Sequence, residues 1–305
     1  MQQARFSRRR KMRGIHRLIR NLAVVIFLVA AVALTLQAIG RKSNSEEDSS
    51  PPTYDTYDVQ AVPETTEETG SSARSGGQSD VLQKLQEMAG DNPEIAAVVE
   101  NSADYPSSLL ELLSKNEETL QFVLDYPEHK DDTPPETIGD VTVGEIPLLL
   151  QWDERWGYTN YGTDFLAITG CGPTCLSMVA AGLSGDNTIT PNRVAQFAMD
   201  NGHYVDGAGS AWSLMTEGCQ EYGLTSRELP LDENRMKSEL MAGNPIICSM
   251  LPGDFTQKGH FIVIVGVEDD MFQVNDPNSQ IRSDQLWSYD RISTQIGNLW
   301  AFYKD

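Results

Sequence analysis

An apolar run near the N-terminus, residues 22–39, constrains this chain more than any other feature, because only Thr35 and Gln37 interrupt it. At a rise of ~1.5 Å per residue, a helix over this run is roughly 27 Å long, enough to cross the hydrocarbon core of a membrane. The positive-inside rule keeps the basic tail before it, residues 1–21, in the cytoplasm. We therefore expect a single-pass membrane protein with a transmembrane signal-anchor at residues 22–40 and an extracytoplasmic C-terminal body.

Cleavage of the same segment as a signal peptide is the alternative, since signal peptides also begin with basic residues. The body would then be secreted. The run is long for the apolar region of a signal peptide, and its clear A-x-A sequence, Ala31 to Ala33, falls inside the run. Both observations favour retention of the segment as an anchor.

Charge divides the chain at nearly the same place. Residues 1–42 contain ten Lys or Arg and no Asp or Glu, whereas the whole chain has 23 basic and 44 acidic residues. The rest of the chain therefore has 13 basic and all 44 acidic side chains, a net charge of −31. Such a body repels phosphates, so we expect no nucleic-acid partner.

Two segments separate the membrane run from the densest part of the chain. Residues 41–79 are rich in Ser, Thr, Glu, Asp, Pro and Gly, a composition typical of a disordered acidic linker. Residues 80–132, called the helical module below, contain N-cap and helix signals. Its helices are expected at 80–89 with Asp80 as N-cap, from Pro93 with Asn92 as N-cap, at 107–115 and at 117–126. The module could pack on the rest of the chain or bind a protein partner, and the sequence leaves both open.

Residues 146–305 form the folded body, and helix signals dominate its first half while strand signals dominate its second. This order indicates the α+β class rather than an alternating parallel sheet. The predicted helices are 171–182, 191–202, 210–223 and 232–243. The predicted strands are 245–250, 261–267, 272–275 and 299–303.

The strongest local motif is Gly170-Cys-Gly-Pro-Thr-Cys-Leu-Ser-Met178. Pro173 fits only the first turn of a helix, so Cys171 lies at a helix N-terminus. The helix dipole and the unpaired N–H groups there favour a thiolate, which is the nucleophile that acyl transfer needs. Taken alone, a cysteine before a helix is at least as often a buried structural residue.

A second motif, Gly259-His-Phe-Ile-Val263, places His260 at the start of a strand. If the following turn centres near Asp269, Asp276 at the end of the next strand faces Ile262, on the same face as His260. Asp276 can then orient the imidazole toward a thiolate. His16, His129 and His203 lie before the membrane run, in a linker and after a helix end, which leaves His260 as the best base.

Residues 146–303 resemble the papain-like cysteine peptidases of the bacteriocin-leader-processing type, peptidase family C39, and especially their stand-alone extracellular branch. The resemblance is carried by residues 146–156, by the Cys171 motif, and by the His260 motif together with Asn275-Asp-Pro277. It implies a papain-like fold and hydrolysis of a peptide or protein substrate by a Cys171–His260–Asp276 triad. It also implies that Gln151 and the backbone N–H of Cys171 bind the oxyanion.

The chain departs from this family in two respects. Gln151 and Cys171 are twenty positions apart, more than is usual in papain-like enzymes, and a segment such as 158–169 can loop out to bring them together. The leader-processing enzymes are joined to a transporter, whereas this sequence has one membrane segment and no GxxxxGK[ST] loop. Cleavage of double-glycine leaders therefore does not follow.

Two other functions remain open. One is a cell-wall amidase or endopeptidase of the NlpC type, although that nucleophile usually lies in Asp-Cys-Ser-Gly. The other is a non-catalytic binding module with a peptidase-like fold. The four cysteines lack the paired spacing of a zinc site, so we expect no metal or cofactor. With Cys171 as a thiol, at most one disulfide can form among Cys175, Cys219 and Cys248.

Overall fold

The computed structural model describes residues 72–90 and 92–304, which belong to one compact unit of the chain, Glu68–Asp305. The basic tail, the predicted membrane anchor and most of the predicted linker lie outside the described residues. Among the residues that are described, no helix has both the length and the hydropathy that a membrane crossing requires.

Four α-helices occupy the first part of the described chain. They are α1 Ser72–Met88, α2 Pro93–Glu100, α3 Ser107–Lys115 and α4 Leu120–His129, with short 3₁₀ turns at Ser102–Asp104 and Glu117–Thr119. The predicted cap at Asn92 is confirmed, because its side chain accepts a hydrogen bond from the backbone N–H of Glu94 at 3.0 Å. Asp80 is not a cap, since α1 begins before it. His129 ends α4 rather than lying in a linker, because the helix continues through Pro127.

The helical module packs on the body rather than standing apart from it. Leucines and valines of α1 to α4 form one buried cluster, and the cluster also contains Tyr158 and Ala167 of the body. The rings of Phe122 and Tyr158 stack with centroids 4.3 Å apart, and the Tyr158 hydroxyl donates to the Phe122 carbonyl at 2.7 Å. The sequence left open whether the module packs on the body or binds a protein partner. In the structure it packs on the body.

The body has seven α-helices among the described residues. They are α5 Leu166–Thr169, α6 Cys171–Ser184, α7 Pro191–Asp200, α8 Ser213–Thr216, α9 Glu233–Met241, α10 Gln280–Ser283 and α11 Tyr289–Ile292. The helix predicted at 210–223 is wrong in extent. It divides into α8 and a 3₁₀ segment, Gly218–Tyr222, and Gly218 at the division has a low intrinsic helix propensity.

Ten strands complete the described structure. They are β1 Asn160–Tyr161, β2 Asp164–Phe165, β3 Tyr204–Val205, β4 Gly209–Ser210, β5 Leu224–Glu228, β6 Ile246–Met250, β7 His260–Glu268, β8 Met271–Asn275, β9 Leu286–Trp287 and β10 Ile296–Lys304. Six of them form a sheet in the order β5-β10-β6-β7-β8-β9, and every pairing in it is antiparallel. The α+β class is thus confirmed, while β5, β9 and the two short hairpins were not predicted.

The sheet separates two buried clusters. On one face, α6 contributes Leu176 and Val179 to a cluster with Val263 of β7. On the other face, α9 contributes Met236 to a cluster with Ile262 of β7 and other sheet residues. The alternation of side chains along β7 accounts for this division, since neighbouring residues point to opposite faces. The helix that begins at Cys171 is therefore held directly against the strand that begins at His260.

A β-bulge sets the register of the β7–β8 hairpin. The turn residues Asp269 and Asp270 have positive φ angles of 48° and 67°, as a tight two-residue turn requires. Glu268 pairs with Met271 beside the turn, but the register shifts between Ile264 and Gly266, so that Val263 pairs with Asn275. By continuation, Asp276 is opposite Ile262, as predicted. Without the shift it would be opposite Val263 and would point to the other face of the sheet.

Candidate active site

Cys171 is the first residue of α6, and its side chain is partly exposed, whereas residues 172–182 of the helix are buried. Gly170 precedes the helix with φ −87° and ψ 15°, so the chain turns sharply where α6 begins. The first N–H groups of a helix have no partner within it. The sulfur therefore lies at a helix start where hydrogen-bond donors are available.

Gly172 is required by a close approach between two elements. A Cβ atom at this position would lie 2.3 Å from Ser210 Oγ and 2.6 Å from Ser210 Cβ, so β4 packs directly on the start of α6. The Ser210 hydroxyl is 2.8 Å from the hydroxyl of Tyr161. Burial raises the pKa of Tyr161 although the hydrogen bond with Ser210 lowers it, and Cys171 adds a smaller effect that raises it. Neither Tyr161 nor Ser210 was predicted from the sequence.

His260 and Asp276 meet in the interior of the protein. The His260 Nε2 atom lies 2.7 Å from Asp276 Oδ1, and both side chains are buried, that of Asp276 completely. This contact leaves Nδ1 of His260 for another partner, and Cys171 is among the groups that raise the pKa of the imidazole. The structure therefore brings His260 and Asp276, two of the three side chains predicted to come together, into direct contact.

The Asp276 carboxylate has two further donors. Arg282 Nε lies 2.5 Å from Oδ2, and the backbone N–H of Asn278 donates to Oδ1 at 2.8 Å. The backbone N–H of Asp276 itself donates to the Ser283 hydroxyl at 2.9 Å. The carboxylate is thus held in one orientation by His260, by Arg282 and by its own loop.

These contacts shift the pKa values of both members of the pair. Burial opposes the charged form of His260, but the charge and hydrogen bond of Asp276, together with a smaller effect of Cys171, outweigh it and raise the pKa to about 10. Burial likewise opposes ionisation of Asp276, but His260 and Arg282 together hold the pKa of its carboxyl below the ordinary value. Near neutral pH the pair is therefore an imidazolium and a carboxylate.

Gln151 connects the two halves of the site. Its backbone N–H donates to the Pro277 carbonyl at 2.7 Å, next to Asp276. Its side-chain Nε2 donates to the Ala167 carbonyl at 2.7 Å and to the Ile168 carbonyl at 3.4 Å, just before the start of α6. The side chain is buried, and its Oε1 has no hydrogen-bond partner. The structure therefore holds Gln151 between the loop after Asp276 and the residues before α6, with its amide directed at carbonyl groups.

The other described histidines and cysteines have surroundings of a different kind. His203 Nδ1 is 2.8 Å from the Ser213 hydroxyl, and His129 pairs with Asp132 at the surface at 2.8 Å. Cys175 and Cys248 are buried free thiols, so neither is in a disulfide. Burial raises the pKa of both thiols. Cys219 is also buried, and its sulfur donates to the carbonyls of Thr216 and Leu224. Within residues 72–90 and 92–304, no group of three or more His, Cys, Asp or Glu could hold a metal ion.

Arg282 and Asn278 are contacts of Asp276 that the sequence did not predict. Both lie in the segment after Asp276, where Asn275-Asp-Pro277 was recognised as a motif. The sequence signal for Arg282 is a basic residue six positions after the carboxylate. That spacing leads to a contact only because α10 turns the chain back toward Asp276.

Comparison with known proteins gives one family and several structures. The model of the Peptidase_C39 like family matches residues 143–304, more than half of the 305 residues. No curated protein matches. The peptidase domain of Streptococcus ComA, a bi-functional ABC transporter involved in a quorum-sensing pathway, is 19% identical with a TM-score of 0.35, over 44% of this chain and 90% of that one. A putative C39-like peptidase from Bacillus anthracis is 13% identical with a TM-score of 0.32, over 55% of this chain and 98% of that one.

Proposed function

Because this chain belongs to the Peptidase_C39 like family, we propose that it is a cysteine peptidase that hydrolyses peptide bonds with Cys171 as nucleophile, His260 as acid and base, and Asp276 as the group that orients His260. The observation that supports this most directly is the contact of His260 Nε2 with the buried Asp276 carboxylate at 2.7 Å, together with the effect of Cys171 on the pKa of His260. A nucleophile, a base within hydrogen-bond reach and a third group that orients the base are the parts that nucleophilic catalysis needs.

In the first half of the reaction, the Cys171 sulfur, having given its proton to His260, attacks the peptide carbonyl carbon. The C–N bond breaks, the imidazolium donates its proton to the leaving amine, and the acyl group remains on sulfur as a thioester. The raised pKa of His260, about 10, keeps the imidazole protonated for this step at neutral pH. Asp276 stays ionised throughout, since its role is to stabilise the imidazolium.

In the second half, neutral His260 removes a proton from water. The resulting hydroxide attacks the thioester carbonyl, the C–S bond breaks, and the sulfur regains its starting state with His260 protonated. Both halves pass through a tetrahedral oxyanion, which needs preorganised donors.

We propose the backbone N–H of Cys171 and the side-chain amide of Gln151 as the oxyanion donors. One Nε2 hydrogen of Gln151 is held by Ala167, but the contact to Ile168 is long at 3.4 Å. The second hydrogen can therefore turn toward a negatively charged oxygen, which is a stronger acceptor than an amide carbonyl.

The test is a cleavage screen of the full-length chain, purified in detergent, against a peptide library, with mass spectrometry of the products. We expect cleavage by the wild-type chain, loss of all cleavage in Cys171→Ala, and alkylation of Cys171 by iodoacetamide. An inactive wild-type chain with an unreactive Cys171 contradicts the proposal. Purified peptidoglycan, included as a second substrate, separates this peptidase from a cell-wall amidase.

We also propose that residues 22–40 anchor the protein in the cell membrane with its body outside the cytoplasm. The apolar run and the basic tail before it support this. In a fractionated cell we expect the protein in the membrane fraction at full mass and sensitive to external protease. Recovery of a shortened, soluble form from the medium would instead indicate cleavage of a signal peptide.

A further inference from the structure

The helical module contacts the loop that holds Asp276. From the 3₁₀ turn between α3 and α4, the Glu118 carboxylate accepts hydrogen bonds from the Ser279 hydroxyl and from the backbone N–H of Ile281, the latter at 3.1 Å. One position before that turn, Asn116 Nδ2 donates to the Asn278 carbonyl at 2.7 Å. These are polar contacts between residues more than 160 positions apart in the chain.

The contacted residues lead directly to the carboxylate. Ser279 is buried and caps α10, because its hydroxyl accepts a hydrogen bond from the backbone N–H of Arg282 at 3.0 Å. Arg282 then reaches Asp276 Oδ2 through its Nε, and Asn278 donates its backbone N–H to Oδ1. Glu118 therefore holds the first residues of the four-residue helix from which Arg282 projects.

Arg282 depends on this helix for its direction. Its side chain is 24% exposed, and its buried Nη2 atom has no hydrogen-bond partner. The pairing with Asp276 through Nε is thus made by one edge of the guanidinium and is not reinforced by a second acceptor at Nη2. A displacement of α10 would change the position of Arg282 and, through it, the orientation of Asp276.

We propose that Glu118 is a positioning residue for the site, and that the helical module is a built-in support for the loop that carries Asp276. Glu118 acts through Ser279, α10 and Arg282, without touching Cys171 or His260. Glu118 lies outside the residues that the family model matches, 143–304, so the support comes from a part of the chain that this model does not describe. The inference rests on the proposed function in so far as it treats Asp276 as part of a catalytic group.

The experiment compares Glu118→Ala and Glu118→Gln in the full-length chain with Glu117→Ala. Glu117 is the matched control, because it is an exposed glutamate on the same 3₁₀ turn. Gln at position 118 keeps one acceptor oxygen for the Ile281 N–H, so it is the conservative variant. Thermal melting of each protein shows whether it is folded, and if the Ala variant does not fold, the Gln variant is the one compared.

Two readouts separate positioning from general support of the fold. In steady-state kinetics we expect Glu118→Ala to lower kcat about tenfold, with KM changed less than about twofold, because the catalytic group is displaced while the residues that bind the substrate stay in place. In the pH profile of kcat/KM we expect the alkaline limb to move to lower pH, since a displaced Asp276 stabilises the imidazolium less. Glu118→Gln should lie between wild type and Ala.

The second readout needs no substrate. The rate of Cys171 alkylation by iodoacetamide is measured against pH, with mass spectrometry to locate the label. We expect the increase of the alkylation rate with pH to move to higher pH in Glu118→Ala. The lower pKa of His260 in this variant leaves less imidazolium to stabilise the thiolate. If the wild-type chain cleaves no peptide, the proposed function fails while this profile still tests Glu118.

The inference is overturned by either of two results. One is a folded Glu118 variant whose kcat and both pH profiles equal those of wild type. The other is Glu117→Ala with the same reductions, which would trace them to the charge or stability of the module.

Discussion

At the scale of single residues, the chemistry of the site depends on the charge of Asp276. The carboxylate is fully buried, yet it stays ionised because His260 and Arg282 both lie against it. It in turn is the largest of the influences that raise the pKa of His260 to about 10, against the effect of burial. A buried ion pair of this kind is weak evidence for stability, but it defines the protonation state that the proposed reaction needs.

We predict that Asp276→Asn lowers kcat/KM about tenfold or more, because the neutral amide stabilises the imidazolium less. Because the charge of Asp276 raises the pKa of His260, removal of that charge must lower this pKa. The alkaline limb of the kcat/KM profile should therefore move to lower pH. The measurement is kcat/KM between pH 5 and 10, with Asp290→Asn, an exposed aspartate of α11, as control. An alkaline limb that stays in place would show that Asp276 does not set the pKa of His260.

At the scale of elements, two tight junctions place the side chains of the site. One is the bulge in β7, which turns Asp276 to the same face as His260. The other is the approach of β4 to the start of α6, where Ser210 leaves no room for a side chain at position 172. Protein interiors are close-packed, so an added atom at such a junction must move one of the two elements.

We predict that Gly172→Ala lowers the free energy of unfolding by about 1–3 kcal/mol and reduces activity, because the new methyl group overlaps Ser210 and shifts the start of α6. The measurement is urea unfolding together with peptide cleavage. Ser210→Gly in the same chain removes the overlapping atoms and should restore part of the stability.

The matched control for this glycine is Gly77, inside α1, where a Cβ would meet nothing within 4 Å. Gly77→Ala should leave the stability unchanged or raise it slightly, since alanine favours a helix over glycine. Equal stability of Gly172→Ala and wild type would mean that β4 can move away from α6 at no cost.

At the scale of the whole molecule, the helical module and the body share one buried cluster. The stacked pair of Phe122 and Tyr158 belongs to it, and a Cβ on Gly157 would lie 2.7 Å from the Phe122 ring. Near the site, Glu118 and Asn116 add polar contacts to the loop after Asp276. Apolar burial of this extent favours a single cooperative structure over two independent ones.

We predict that the module and the body unfold together in urea. All five tryptophans lie between residues 152 and 300, so their fluorescence reports on the body, whereas circular dichroism at 222 nm also reports on the helices of the module. The two transitions should coincide in wild type, and Phe122→Ala should lower both midpoints together, with a loss of about 3 kcal/mol or more. Tyr105→Phe, which removes only a hydroxyl from the same module, serves as control. A separate early transition of the helical signal would contradict this prediction.

The features of this protein that have local signals follow from its amino-acid sequence. Capping by Asn92, the α+β order of elements, the helix start at Cys171 and the strand start at His260 all depend on interactions within a few residues. The resemblance to a peptidase family also rests on short motifs of this kind, and the family model matches the same part of the chain. The register of Asp276 was predicted correctly from alternation, although the bulge that produces it was not foreseen.

The contacts that join distant segments come from the three-dimensional packing instead. Ser279 and Glu118 are 161 positions apart, and no local preference of either residue indicates that they meet. The same holds for Ser210 against Gly172, and Arg282 reaches Asp276 only because α10 turns the chain back. Such contacts depend on how whole elements pack against one another. Close packing fixes the relative positions of helices and loops to within a fraction of an atomic diameter. Sequence patterns specify only which face of each element is buried.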